Sequence, residues 1–142
     1  VSTIVSNQDV ADQNLNIPIS AAVNSAGNVY VVHQGPTKVN IYNTSGAFVG
    51  TFGPQGTAPN MLWRPKGIAI DSEDNVYVSD GSFENVQIFN AQGQVRMVFG
   101  GSGTAPGQFQ LPGLIFIDSS DKVYVAEVGS HRVQIFQFLG GN

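Results

Sequence analysis

The sequence predicts an all-β fold of repeated four-stranded antiparallel blades, and three observations carry that prediction. Three segments superpose at a constant spacing of 47 residues without a gap. Pro18 matches Pro65 and Pro112, and Asn28-Val29-Tyr30-Val31 matches Asn75-Val76-Tyr77-Val78 and Lys122-Val123-Tyr124-Val125. Val39-Asn40-Ile41-Tyr42 likewise matches Val86-Gln87-Ile88-Phe89 and Val133-Gln134-Ile135-Phe136. Such a period marks a chain of stacked supersecondary units. Second, every apolar run is short, β-branched or aromatic and bounded by Gly, Asn, Asp or Pro, the mark of strands and turns. Third, no stretch sustains a 3.6-residue period behind a helix cap. Four antiparallel strands in about 40–50 residues, stacked face to face, describe the blade of a β-propeller.

The elements follow in order. Val1-Ser2-Thr3-Ile4-Val5 aligns with Phe48-Val49-Gly50-Thr51-Phe52, so residues 1–5 read as a lone outer strand. Blade one covers residues 17–53. Blade two, residues 64–100, gives the clearest reading: strands at Gly67–Ile70, Val76–Val78, Val86–Phe89 and Val95–Phe99. Asp71-Ser72-Glu73-Asp74 and Asn90-Ala91-Gln92-Gly93 are its turns, and Asp80 to Phe83 form a loop between the second and third strands. Its first two strands are apolar nearly throughout, which predicts a sheet covered on both faces. Gly56-Thr57-Ala58-Pro59 recurs as Gly103-Thr104-Ala105-Pro106 in the links between blades. Blade three, residues 111–142, has its third strand at Arg132–Phe136 and lacks an outer strand. The whole, 1–142, reads as one domain of three blades.

This order permutes strands as ring-closing propellers do, the first strand completing the last blade. Three blades do not close on themselves, so each end blade is expected to expose an apolar sheet face. Two chains pairing into a six-bladed ring would leave no open edge. The remaining blades of a longer chain would do the same. Val1 in place of Met fits a processed or truncated chain.

Composition narrows the function. Only 11% of the residues are charged, against roughly a quarter in an average domain. The formal net charge is −4, and six Lys plus Arg supply no basic face for nucleic acid. No cysteine is present, which removes thiol chemistry and disulfides. No apolar run approaches the roughly 18 residues of a membrane span.

The pattern Pro65-x-Gly67-Ile68-Ala69-Ile70-Asp71, then Asn75-Val76-Tyr77-Val78-Ser79-Asp80 and Val86-Gln87-Ile88-Phe89, resembles the NHL repeat. So does His131-Arg132-Val133-Gln134-Ile135-Phe136, preceded by Gly107-Gln108-Phe109 and Pro112. The resemblance spans the chain and implies a six-bladed β-propeller of which three repeats are half. Against that pattern, the acidic residue after the second strand is Asp80 and Glu127, with Val32 taken as its counterpart in repeat one. The Arg before the third strand survives only as Arg132, with Lys38 and Asn85 elsewhere, and the Asn-His pair is reduced to Ser130-His131.

The candidate binding residues are His33, Trp63, Arg64, Asp80, Phe83, Glu127 and His131. His33 and His131 are expected in loops between second and third strands, and two histidines per chain are too few for an open three-histidine metal site. No metal or cofactor is expected. Asp80 and Glu127 suit either acid–base work or the capture of loop amides, with Glu127 also pairing to Arg132. The oxygens of 71–75 and 118–121 lack the spacing of a calcium loop and fit Asx turns. Gly100-Gly101-Ser102-Gly103 lacks the ending of a phosphate loop. Asn43-Thr44-Ser45 matches an N-glycosylation acceptor. Trp63 beside Arg64 reads equally as a partner anchor or as blade-interface packing with Leu62 and Phe109. Phe83 is a second candidate contact.

Three function classes remain: a non-enzymatic scaffold holding a protein, peptide or glycan; a propeller lyase or lactonase with a channel metal; and a half-propeller whose assembly is its main property. The scaffold reading leads, since no catalytic set converges in the sequence and fold alone does not fix function. Few charges and many Asn, Gln, Ser and Thr resemble extracellular or periplasmic propellers.

Overall fold

A computed structural model describes residues 15–139, so the strand expected at residues 1–5 lies outside the described residues. Eleven strands follow one another: β1 (Pro18–Val23), β2 (Val29–Gln34), β3 (Thr37–Tyr42), β4 (Phe48–Phe52), β5 (Pro65–Ile70), β6 (Val76–Asp80), β7 (Asn85–Phe89), β8 (Val95–Gly100), β9 (Pro112–Ile117), β10 (Lys122–Glu127) and β11 (Arg132–Gln137). They form three antiparallel meanders: β1-β2-β3-β4, β5-β6-β7-β8 and β9-β10-β11. These are two four-stranded blades and a third of three strands, and no helix occurs among the described residues.

Local chemistry sets the hairpins. Asn24, Asp71 and Asp118 each turn the first hairpin of a blade, their Oδ1 atoms accepting the amides two and four residues on: Ala26 and Asn28, Glu73 and Asn75, Ser120 and Lys122. Asn43 and Asn90 do the same between third and fourth strands. Short polar side chains mimic a backbone turn in this way, which fits the Asx reading of these segments.

Packing runs between blades. Tyr30, Val32, Val39 and Phe52 of blade one meet Ile68, Val76, Val78 and Phe89 of blade two. Ala69, Tyr77, Val86 and Ile88 of blade two then meet Ile115, Val123 and Val125 of blade three. An aromatic pair recurs with the repeat, Phe52 on Phe89 at 4.9 Å and Phe99 on Phe136 at 5.0 Å between ring centroids. Leu62 and Phe109, in the links, plug the two interfaces and are wholly buried. Each such side chain adds roughly 1.5–3 kcal/mol of apolar burial.

The two ends of the stack differ. On blade three, Phe116, Val133 and Ile135 are about 60% exposed, whereas their counterparts Ala69, Val86 and Ile88 in blade two are buried by blade three. Blade one does not show the matching open face that the sequence led us to expect. The side of β2 and β3 away from blade two is buried at Val31, His33, Asn40 and Tyr42. It is a mixed layer rather than an apolar one: Asn40 Nδ2 donates to Tyr42 Oη at 3.0 Å, and the Tyr42 ring meets Phe48 edge-on.

Candidate functional site

Most candidate residues gather at one end of the blades, where second strands finish. In blade two, Asp80 is fully buried and accepts four backbone amides: Trp63 at 2.7 Å, Arg64 at 3.0 Å, Ser82 at 2.9 Å and Phe83 at 3.1 Å. The carboxylate thus ties the inter-blade link to the loop that follows β6. In blade three, Glu127 accepts from the Gln110 amide at 3.0 Å, Ser130 Oγ at 2.8 Å, Gln134 Nε2 at 2.8 Å and Arg132 Nε at 2.6 Å. Burial pushes the Glu127 carboxyl up, but the donors from Arg132, Gln110, Ser130 and Gln134 outweigh it and bring the pKa down to about 2. Both carboxylates have their lone pairs engaged by structural donors, a poor starting point for proton transfer.

The strand register corrects the placement of His33. Asp80 pairs with Pro65, Glu127 pairs with Pro112, and His33 pairs with Pro18. His33, not Val32, therefore stands at the carboxylate position of blade one. It lies in β2 rather than in a loop, because the hairpin from Gln34 to Thr37 is shorter than the loop after Asp80. The ring is fully buried beside Asn40, Lys38 and the Asn16 main chain. Burial lowers the imidazole pKa, with the Lys38 charge adding to it and Asn40 opposing it. His33 is thus not an exposed loop contact.

The remaining candidates divide. Trp63 is 47% exposed while Leu62 is wholly buried, so Leu62 and Phe109 fill the interface and the indole stays at the surface. Arg64 is exposed and, with Lys66, Leu111, Pro112 and Val128, borders a shallow groove of ≈ 320 Å³. Phe83 is half-buried rather than free, on a loop pinned by Asp80. His131 is exposed in the β10–β11 turn with φ 53°, the left-handed position that Glu84 (φ 52°) takes in blade two. Trp63, Arg64, Asp80 and Phe83 are thus brought together, while His131 and Glu127 sit at the matching end of blade three.

Two features escaped the sequence reading. One is the hollow of ≈ 570 Å³ bordered by Ala22, Ile68, Leu114, Phe116, Tyr124 and Val133, which joins the inner strands β1, β5 and β9 to the open face of blade three. Alternating apolar residues in β9 and β11 were its signal. The other is a pair of clasps between successive blades. Ser25 donates its amide to Asp74 Oδ1 at 2.8 Å and its hydroxyl to Oδ2 at 2.5 Å; Ser72 does the same to Asp121 at 2.9 and 2.6 Å. Recurrence of Ser and Asp at the 47-residue spacing could have suggested them. Among the described residues no three His, Asp or Glu side chains converge as metal ligands, and no helix is long and apolar enough to cross a membrane.

No family model and no curated protein sequence matches the chain. Solved structures do. Hydrazine synthase of Kuenenia stuttgartiensis superposes with a TM-score of 0.65 at 16% identity, over 92% of this chain and 36% of that one. A nidogen/laminin complex gives 0.64 at 20% identity, over 87% and 45%. Virginiamycin B lyase from Staphylococcus aureus gives 0.61 at 13%, over 87% and 42%. At these identities the likeness concerns the fold, a partial β-propeller. The chain spans less than half the length of each of these three.

Proposed function

We propose that this chain is a non-enzymatic binding scaffold, NHL-like in its blades, whose third blade offers its open face as a docking surface for completing a six-bladed ring. The surface would be covered by a second copy or by the remaining blades of a longer chain. One observation carries this reading: Phe116, Val133 and Ile135 stand exposed at positions whose counterparts in blade two are buried by the next blade. A contiguous apolar patch of this kind marks an interaction site. Protein, peptide or glycan ligands would then meet the finished ring near Trp63 and Arg64, which stay exposed.

The alternative, a lyase- or lactonase-like enzyme with a channel metal, has the fold likeness to virginiamycin B lyase in its favour. Asp80 and Glu127 are taken up by amides and Arg132, which leaves the scaffold ahead.

The test compares Ile135→Asp with Ile88→Asp in the full chain, reading thermal midpoint and binding of a hydrophobic dye. Ile88 is covered by blade three, so its substitution should lower the midpoint steeply. Ile135→Asp should leave the midpoint nearly unchanged and weaken the dye signal. Equal destabilisation by both would mean that the face is already covered, and would end the docking reading. A stoichiometric divalent ion whose binding disappears in His131→Ala would bring the enzyme forward instead.

A further inference from the structure

The clasps between blades say which partner the open face accepts. Each links the first hairpin turn of one blade to that of the next, through the serine amide and hydroxyl and both oxygens of one aspartate. The aspartates hold a left-handed backbone, Asp74 at φ 62° and Asp121 at φ 58°, a conformation that Asp tolerates better than most residues. Ser119 is the third serine of the series, one period beyond Ser72. Its turn is already set, since Asp118 Oδ1 accepts the amides of Ser120 and Lys122 at 2.8 and 3.0 Å. Ser119 is exposed, and no hydrogen bond engages its amide or hydroxyl among the described residues. It sits at the rim of the uncovered apolar face.

Blade one of a second copy is a poor partner for it. The residue one period before Asp74 is Gly27, which has no carboxylate to offer. The side of blade one that would receive blade three is also buried at Val31, Asn40 and Tyr42. We infer that the open face of blade three docks a further propeller blade with an aspartate in its first hairpin turn, which Ser119 clasps, and that it does not dock blade one of a second copy. The inference rests on the docking reading above and continues the two interfaces already built. One detail sets the fit. At Gly67 an added Cβ would come within 2.8 Å of the Ile115 nitrogen, so β9 lies tight against β5. Blade three has Leu114 there, so the incoming inner strand stands farther off at that point.

The experiment uses the full chain and the same chain lengthened behind Asn142 by a copy of residues 96–142. The copy supplies an outer strand for blade three and a fourth blade whose turn carries the copied Asp121. In the lengthened chain Ile135→Asp at the original blade three should lower the thermal midpoint steeply, as it should not in the unlengthened chain. There Ser119→Ala should lower it by about 3 °C when the chain is lengthened, as Ser72→Ala should in both chains. Alanine at the copied aspartate should match Ser119→Ala. In the unlengthened chain Ser119→Ala should leave the midpoint unchanged. A midpoint drop there equal to that of Ser72→Ala would overturn the inference without any need for the lengthened chain to fold. If Ile135→Asp destabilises the lengthened chain but Ser119→Ala has no effect, the docking reading stands and the clasp fails. If Ile135→Asp at the original blade three leaves the folded lengthened chain as stable as before, the docking reading fails with it. A stable unlengthened dimer of twice 15.0 kDa that Ser119→Ala or Val133→Asp dissociates would make the occupant a second copy and overturn the inference.

Discussion

Glu127 and His33 occupy the same place in different blades and give the chain a two-stage response to acid. The Glu127 pKa is about 2 in the folded chain against an ordinary 4.5. Its contribution is therefore complete above the ordinary value and is lost as pH falls from there toward 2. His33 is held below its ordinary 6.5, so the unfolded chain takes up its proton first and stability declines once pH drops under that value. The thermal midpoint should accordingly fall in a shallow step below about pH 6.5 and a steeper one below about pH 4.5. His33→Gln should remove the first step. Glu127→Gln should reduce the second, to which Asp74 and Asp118, also held below the ordinary carboxyl value by their hydrogen bonds, contribute. At neutral pH Glu127→Gln should cost about 2–3 kcal/mol in urea unfolding, less than a fully buried broken pair. Arg132 would keep the carbonyls of Thr104 and Gln108, at 2.7 and 2.9 Å, and is itself part-exposed. An unaltered midpoint between pH 7 and 3 would sink both assignments. The carboxylates were legible because they recur at one position. His33 was within reach as well, since it lies one 47-residue period before Asp80. Taking Val32 as the counterpart departed from that period by one residue, and the pairing of His33 with Pro18 agrees with the period.

Within a blade, alternation and turn residues made the strands readable, and the links between blades were the harder part. Gly-rich and Pro-bearing, each carries one wholly buried plug, Leu62 or Phe109, the two residues that the sequence already offered for the blade interface. Each link folds back through a parallel bridge, Gln55 to Leu62 and Ser102 to Phe109, and so drives the plug under the neighbouring blade. Phe109 packs on Phe99 and Phe136 at 6.1 and 5.7 Å. Trp63, the conspicuous aromatic of the sequence, sits one residue past the plug and stays half-exposed at the surface. Phe109→Ala should destabilise the chain by about 3–5 kcal/mol, the range for a large aromatic removed from a packed core. Trp63→Ala should change stability by under about 1 kcal/mol. Urea denaturation of the two variants settles the contrast. A larger loss at Trp63 would mean that the indole packs in solution and would remove it as a candidate ligand contact.

A chain of blades in which each contacts only its neighbours behaves as a nearly one-dimensional solid, its stability the sum of interfaces. The number of blades and their order were plain in the 47-residue period, whereas which faces lie covered depends on stacking and could not be read from any single repeat. Blade two has a neighbour on both sides; blade three has one. Amide exchange should register that difference. Along β7 both faces are buried and both edges are paired, with β6 and β8. Along β11 burial alternates, and among the described residues only β10 pairs with it. The β7 amides should exchange close to the rate of global unfolding, and those of β11 that point away from β10 at least about tenfold faster. In the lengthened chain, where the copied outer strand can pair with β11, this gap should close. Equal protection of β7 and β11 in the unlengthened chain would mean that something already pairs with that edge, and the open-ended stack would have to be replaced by a closed one.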